Sequence, residues 1–128
     1  MTGMERRTAV VTGVGVVAAP GVGRDTFWKG LSEFPGAGPH AVGNWDPEPV
    51  IPRREARRLD RFAQFAVTAA EEALTQAGDL EVDPNRVTVN VASGIGGLES
   101  LEVLIDNAYQ DDPRVSPLWI PMMMCNAA

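Results

Sequence analysis

Reactive side chains are scarce in this sequence. Its 128 residues hold one cysteine, Cys125, and one histidine, His40. A single thiol excludes an internal disulfide and any multi-cysteine zinc site. A single imidazole excludes a histidine-rich metal centre. Long apolar runs are missing too, and none approaches the ~18 residues of a membrane span. The run from Ala9 to Ala19 is interrupted by Thr12, Gly13 and Gly15 and is rich in valine. It reads as a buried strand rather than an export signal, so the expected location is the cytoplasm, with no membrane partner. Positive charge is not in excess. The net charge is −6, which argues against nonspecific nucleic-acid binding. There is no internal repeat and no low-complexity tract.

What is present is a globular balance. Apolar residues make up 45% and charged residues 22%, and the length suffices for one domain. Thr8–Thr12 reads as a short strand, covered on both faces because it is continuously apolar. Asp25 stands as an N-cap-like residue before a short helix, Thr26–Leu31. From residue 32 to 52 the prolines and glycines are too dense for a regular element, so this is a flexible surface loop. Leu59 to Ala77 carries the strongest helical pattern, with Leu59, Phe62, Ala66, Ala73 and Ala77 on one face. Gly78 supplies the stop. Asp83-Pro84-Asn85 is a turn, and Arg86–Ser93, with its β-branched Val87–Val91, is a second strand. The glycine-rich Ser93–Gly97 turn follows, then a helix over Leu98–Ala108 and an apolar tail from Val115 to Ala128.

Strand, glycine turn and helix together describe an α/β crossover unit. Two strands, however, cannot form a sheet that covers three helices. An apolar tail without a polar cap also exposes surface that normally calls for a partner. Further strands are therefore expected, from a longer chain or from another one.

Four motifs invite functional readings. Gly13-Val14-Gly15-Val16-Val17-Ala18 fits G-x-G-x-x-A, but Pro20, Gly21 and Gly23 follow where a dinucleotide-binding helix must start. It reads as a glycine turn at a strand end. Ser93 lies in A-S-G-I-G rather than G-x-S-x-G, and reads as a turn serine rather than a nucleophile. Cys125 follows three methionines and has no base near it in sequence, so it reads as a structural thiol. Arg53, Arg54, Arg57, Arg58 and Arg61 crowd into one short stretch at the start of the long helix. They are either a solvated helix end or a docking patch, the position being unfavourable toward the helix dipole.

Taken in order, five blocks carry a resemblance. R-R-T-A-V-V-T-G-V-G-V-V (Arg6–Val17), D-T-F-W-K-G-L (Asp25–Leu31), R-R-L-D-R-F-A-Q-F-A-V-T-A-A-E-E-A-L (Arg57–Leu74), S-G-I-G-G-L-E-S-L-E (Ser93–Glu102) and V-S-P-L-W-I-P-M-M-M-C-N-A-A (Val115–Ala128) resemble the N-terminal part of the β-ketoacyl-acyl carrier protein synthases. The likeness is to the elongating type II enzymes and the polyketide ketosynthases. It covers nearly the whole chain, with a shorter loop over 32–52. It implies an α/β chain, residues 1–128 forming the incomplete N-terminal half of a thiolase-like α-β-α-β-α fold. It also implies decarboxylative Claisen condensation of acyl and malonyl thioesters in fatty-acid or polyketide synthesis, with acyl carrier protein as partner. The full-length protein would be a homodimer, or a heterodimer of ketosynthase-like subunits.

The resemblance places no catalytic residue in this chain and calls for no cofactor or metal. The nucleophilic cysteine lies a short way beyond the block ending at Ala128, and the two histidines come from the second half. Cys125 falls where family members carry a small apolar residue. The isolated chain is thus expected to be inactive. The alternative is a non-catalytic, chain-length-factor-type subunit, which shares these blocks and lacks the cysteine. In either case Ile95 matches the position that gates the acyl pocket, Trp119 an aromatic position at the partner subunit's pocket, and Met124 the acyl channel. Arg54, Arg57 and Arg58 match the basic positions that receive the acidic carrier.

Overall fold

The structure is a computed structural model and describes residues 8–36, 38, 40–43, 45–110 and 116–124. Helix α3, Arg61–Ala77, is the longest element among the described residues. Asp60 starts it, accepting a hydrogen bond from the Phe62 amide with its side chain, and Gly78 ends it at a φ of 71°. The expected helix over Leu59–Ala77 therefore begins two residues later, because Asp60 serves as the cap. The other elements, in chain order, are a hairpin of β1 (Val17–Ala18) and β2 (Gly21–Val22), α1 (Arg24–Leu31), α2 (Arg53–Ala56), a 3₁₀ turn at Pro84–Arg86, α4 (Leu98–Ala108) and α5 (Trp119–Met123); α1 packs on β2, β1 on α3 and α5 on α4. The hairpin is antiparallel, pairing Val17 with Val22 and Ala18 with Gly21.

The N-terminal segment lies directly on α3. A methyl group added at Gly13 would stand 1.9 Å from the Ala73 carbonyl oxygen, and one added at Gly15 would stand 1.8 Å from that of Ala69. Glycine on one side and alanine on the other let two backbones meet. Polar side chains of α3 then take the free amides. Val14 N–H donates to Gln76 Oε1 at 2.7 Å, and Val16 N–H donates to Glu72 Oε2 at 2.9 Å. The other Glu72 oxygen accepts from Arg24 N–H, the first amide of α1, at 2.7 Å. Glycine 23 caps α1 without a side chain, so α3 supplies the cap instead. Asp25, expected in that role, lies inside the first turn and pairs with Arg24 at 3.1 Å.

This packing makes a prediction. Gly15→Ala must push the segment off α3, at a cost of about 1–3 kcal/mol. The Val14 and Val16 amides should then exchange with solvent roughly ten-fold faster or more, since ten-fold corresponds to about 1.4 kcal/mol. Amides in the middle of α3 serve as the internal reference and should not change.

Neither strand expected from the sequence forms. Residues 8–16 and 87–93 carry no strand. Val10, Val11 and Val89 are 77%, 83% and 81% exposed, so the segment read as covered on both faces lies open. The physical reason is that β-branched residues favour a strand only against a neighbouring one. Here the amides of Val14 and Val16 go to helix side chains instead. The turn at Asp83–Asn85 does form, with the Asp83 side chain accepting from the Asn85 amide.

No helix or strand occurs among the described residues of 32–52, as the prolines and glycines require. The second half of this loop is nevertheless docked. Trp45 packs on Phe65 with ring centroids 4.9 Å apart, and Ile51 is among the few buried apolar residues, with Ala56 and Ala63. The core is therefore small and sits where the loop, α2 and the start of α3 meet. The chain exposes 10570 Å². A compact monomer of 13.7 kDa would expose about 6,600 Å². Among the described residues no helix is long and apolar enough to cross a membrane.

Candidate functional site

Asp60 is the one charged or polar residue buried among the described residues, at 6% exposure. Burying a carboxylate costs several kcal/mol unless donors surround it. Its Oδ1 accepts from Phe62 N–H at 3.1 Å, inside α3. Its Oδ2 accepts from the Ser100 hydroxyl at 2.5 Å and the Ser100 amide at 3.2 Å, inside α4. Two helix N-termini thus converge on one carboxylate, and their dipoles favour the negative charge. Helix α4 needs this help, because its own N-cap is Gly97, which has no side chain to offer.

Gly97 is fixed by its surroundings. An added methyl group would lie 2.8 Å from Asp60 Oδ2 and 2.8 Å from the Met123 Cα. Its amide donates to the Met123 carbonyl at 3.1 Å, which ties the glycine turn to α5. At the other end of the turn, the Ser93 hydroxyl accepts from the Gly96 amide at 2.9 Å. Ser93 is therefore a turn-closing serine, as the sequence suggests. Gly96 lies at a φ of 76°, a conformation that glycine adopts without strain. Ile95, at the apex, is 73% exposed.

An open cleft of about 370 Å³ lies between the docked loop and α3, α4 and α5. Trp45, Arg61, Gln64, Val103, Trp119 and Met122 contribute to its walls, along with Asp60 and Ser100. Of the three residues expected at an acyl pocket, Trp119 lines this cleft. Ile95 and Met124 do not; Met124 caps the C-terminal end of α5 and is 48% exposed. Ile95 lies two residues before Gly97 and Met124 one residue after Met123, the two ends of one backbone hydrogen bond. Cys125 lies outside the described residues.

The arginines are arranged differently from the sequence expectation. They do not form the first turn of the long helix. Arg53 and Arg54 belong to the separate helix α2, and Arg57 and Arg58 follow its C-terminal end, where positive charge is favourable. The Gln64 side-chain amide donates to the carbonyls of Ala56 and Leu59 at 2.8 and 2.9 Å, closing that end. Arg61 alone enters α3. Its guanidinium lies 5.3 Å from the Phe65 ring centroid and donates to the Val42 carbonyl. Arg54, Arg57 and Arg58 are exposed, and none forms an ion pair with another described residue.

The glycines of Gly13-x-Gly15 cannot cradle a pyrophosphate in this arrangement. Their open faces meet α3, and the intervening amide is already bonded to Gln76. Among the described residues no three His, Cys, Asp or Glu side chains cluster to hold a metal ion.

Sequence reasoning missed Asp60, Glu72 and Gln76. A signal for Asp60 was present, since an aspartate directly before an apolar-periodic run is a helix-cap pattern. Its second partner, Ser100, is 40 positions away and leaves no local trace.

Residues 36–128 match the N-terminal domain of the β-ketoacyl synthases. The chain belongs to the β-ketoacyl synthase family. It is similar to the 3-oxoacyl-[acyl-carrier-protein] synthase 2 of Synechocystis sp., with 34% identity over 149 aligned positions that cover 100% of this chain and 35% of that protein. The synthase 2 of Staphylococcus aureus is 33% identical over 143 positions, covering 97% of this chain and 34% of its own length. The β-ketoacyl synthase chain thus spans about a third of the length of the curated relatives it matches. The described residues are helix-rich, with one two-stranded sheet before the matched region.

Proposed function

We propose that residues 1–128 are the N-terminal segment of a 3-oxoacyl-[acyl-carrier-protein] synthase. The observation that carries this reading is the similarity to synthase 2 proteins along the whole chain. The uncovered valines of residues 8–16 and 87–93 support it, because they are strand sequences without strand partners. In this reading further polypeptide completes a five-layer α-β-α-β-α fold, and the full protein is dimeric.

The proposed reaction joins two thioesters. A cysteine thiolate takes the acyl group from its carrier, releasing the carrier thiol. Malonyl-carrier protein then loses CO₂, and the resulting enolate carbon attacks the acyl carbonyl. A carbon–carbon bond forms and the cysteine leaves as thiolate. The cysteine, and the two histidines that assist decarboxylation and stabilise the oxyanions, belong to polypeptide beyond residue 128. Activated nucleophile and oxyanion donors are what this chemistry requires.

This segment's own contribution is recognition. Ile95, Trp119 and Met124 form part of the acyl-chain environment, where an unbranched thioether adapts to different chain ends. Arg54, Arg57 and Arg58 face the acidic carrier protein, acting mainly by long-range steering. The sequence encoded after Ala128 tests the reading directly. A cysteine in a T-A-C-type motif is the expected result; glutamine at that position would replace the enzyme by a non-catalytic partner subunit.

A further inference from the structure

The buried carboxylate of Asp60 has no part in the chemistry just described, yet it joins the starts of α3 and α4 beside the turn that carries Ile95. We propose that Asp60 is a positioning residue that sets the Ser93–Gly97 turn against α5 and so fixes the chain-length preference of the acyl pocket. The inference rests on the condensing-enzyme reading of the preceding subsection.

Asp60 holds the first turn of α4 through both donors of Ser100. That fixes Gly97, one residue before α4, which has no room for a side chain between Asp60 Oδ2 and the Met123 backbone. Gly97 in turn holds the Met123 carbonyl. The apex of the turn is left unpacked, with Ile95 73% exposed. A turn anchored at its base and loose at its tip can let the tip move while the base sets where it moves from. The anchor is specific in kind. An isolated helix cap would come from α4's own N-cap residue, but here the acceptor is supplied across 40 positions by the residue that also starts α3. The exposed arginines Arg57 and Arg58 precede Asp60 on the same strand of chain, so the anchor lies next to the segment proposed to meet the carrier.

Charge-assisted hydrogen bonds are about twice as strong as neutral ones, so Asp60→Asn weakens the clamp while keeping its volume. It also sets an amide donor or a neutral oxygen against the two Ser100 donors. The test uses the complete condensing polypeptide, with acyl-carrier substrates of short and long chain. Asp60→Asn is expected to raise KM for one chain length relative to the other by roughly ten-fold, with kcat for the preferred substrate altered less than about three-fold, on the scale of one to two lost hydrogen bonds. The Ser100 and Gly97 amides should lose hydrogen-exchange protection, while amides near Leu74 keep theirs. Ser100→Ala, a milder change, should shift the profile in the same direction.

An unchanged ratio of KM values in both single variants overturns the proposal. So does an equal loss for all chain lengths, or exchange rates at Gly97 and Ser100 that do not move. Wild-type polypeptide without any condensing activity would instead overturn the enzymatic reading on which the proposal stands, and the exchange data would still report on the clamp.

Discussion

Heated on its own, the 128-residue chain is expected to show no sharp unfolding transition. A two-state domain of this length absorbs about 90 kcal/mol at its midpoint, at ~0.7 kcal/mol per residue. We expect less than half of that, spread over a broad range of temperature. The reason is surface. The chain exposes 10570 Å², about 4,000 Å² more than a compact monomer of its mass. If only a quarter of that excess were apolar area awaiting burial, the missing stabilisation would be about 25 kcal/mol. A typical domain's net stability is about 5–15 kcal/mol, so the shortfall decides the outcome. Val10, Val11, Val89 and Ile120, all well exposed, should also bind a hydrophobic dye strongly, as loosely packed states do. Calorimetry and dye fluorescence check this together. A cooperative transition of full enthalpy with no dye binding would mean that the chain completes its own core.

Reversing charge at the arginine patch is expected to slow carrier docking. In the complete condensing polypeptide, Arg54→Glu with Arg57→Glu should lower the association rate for acyl-carrier protein by ten-fold or more at low salt. Both side chains are exposed, so their contribution is long-range attraction, which acts on encounter rather than on the bound state. Screening follows, with a Debye length of about 8 Å at physiological salt. The difference between variant and wild type should therefore shrink as salt is raised. Turnover with a small acyl thioester that lacks the carrier should be unaffected. Stopped-flow binding at several salt concentrations measures both effects. Equal rates and an equal salt dependence would remove the patch from carrier recognition and leave it as a solvated chain segment.

How much of this was legible depended on whether the cause was local. The long helix could be read because Phe62, Ala66 and Ala73 repeat on one face and Gly78 stops it. The helix over Leu98–Ala108 was legible in the same way and has the expected bounds. Strands were not, because Val87–Val91 state a preference that only a neighbouring strand can satisfy. The close contact of Gly13 and Gly15 with Ala73 and Ala69 was half legible. Alanine side chains on the helix leave room for another backbone, but nothing in the sequence says which segment comes close. The caps for α1 and α4 were hidden most completely. Both helices start at glycine and borrow carboxylates from α3, Glu72 for one and Asp60 for the other. Such long-range caps leave no spacing to read. At the candidate site, Ser93 could be read as a turn residue. The arginine stretch was placed on the wrong element because the break between α2 and α3 at residues 57–60 has no proline or glycine to mark it.

Acyl loading distinguishes a segment without a nucleophile from a complete enzyme. Labelled acyl-carrier protein is incubated with the 128-residue chain and, separately, with the polypeptide extended past Ala128. Protein is then denatured and the label located by mass. No thioester is expected on residues 1–128, and one label is expected per extended chain, on a cysteine beyond residue 128. A stoichiometric thioester on Cys125 of the 128-residue chain would contradict this expectation.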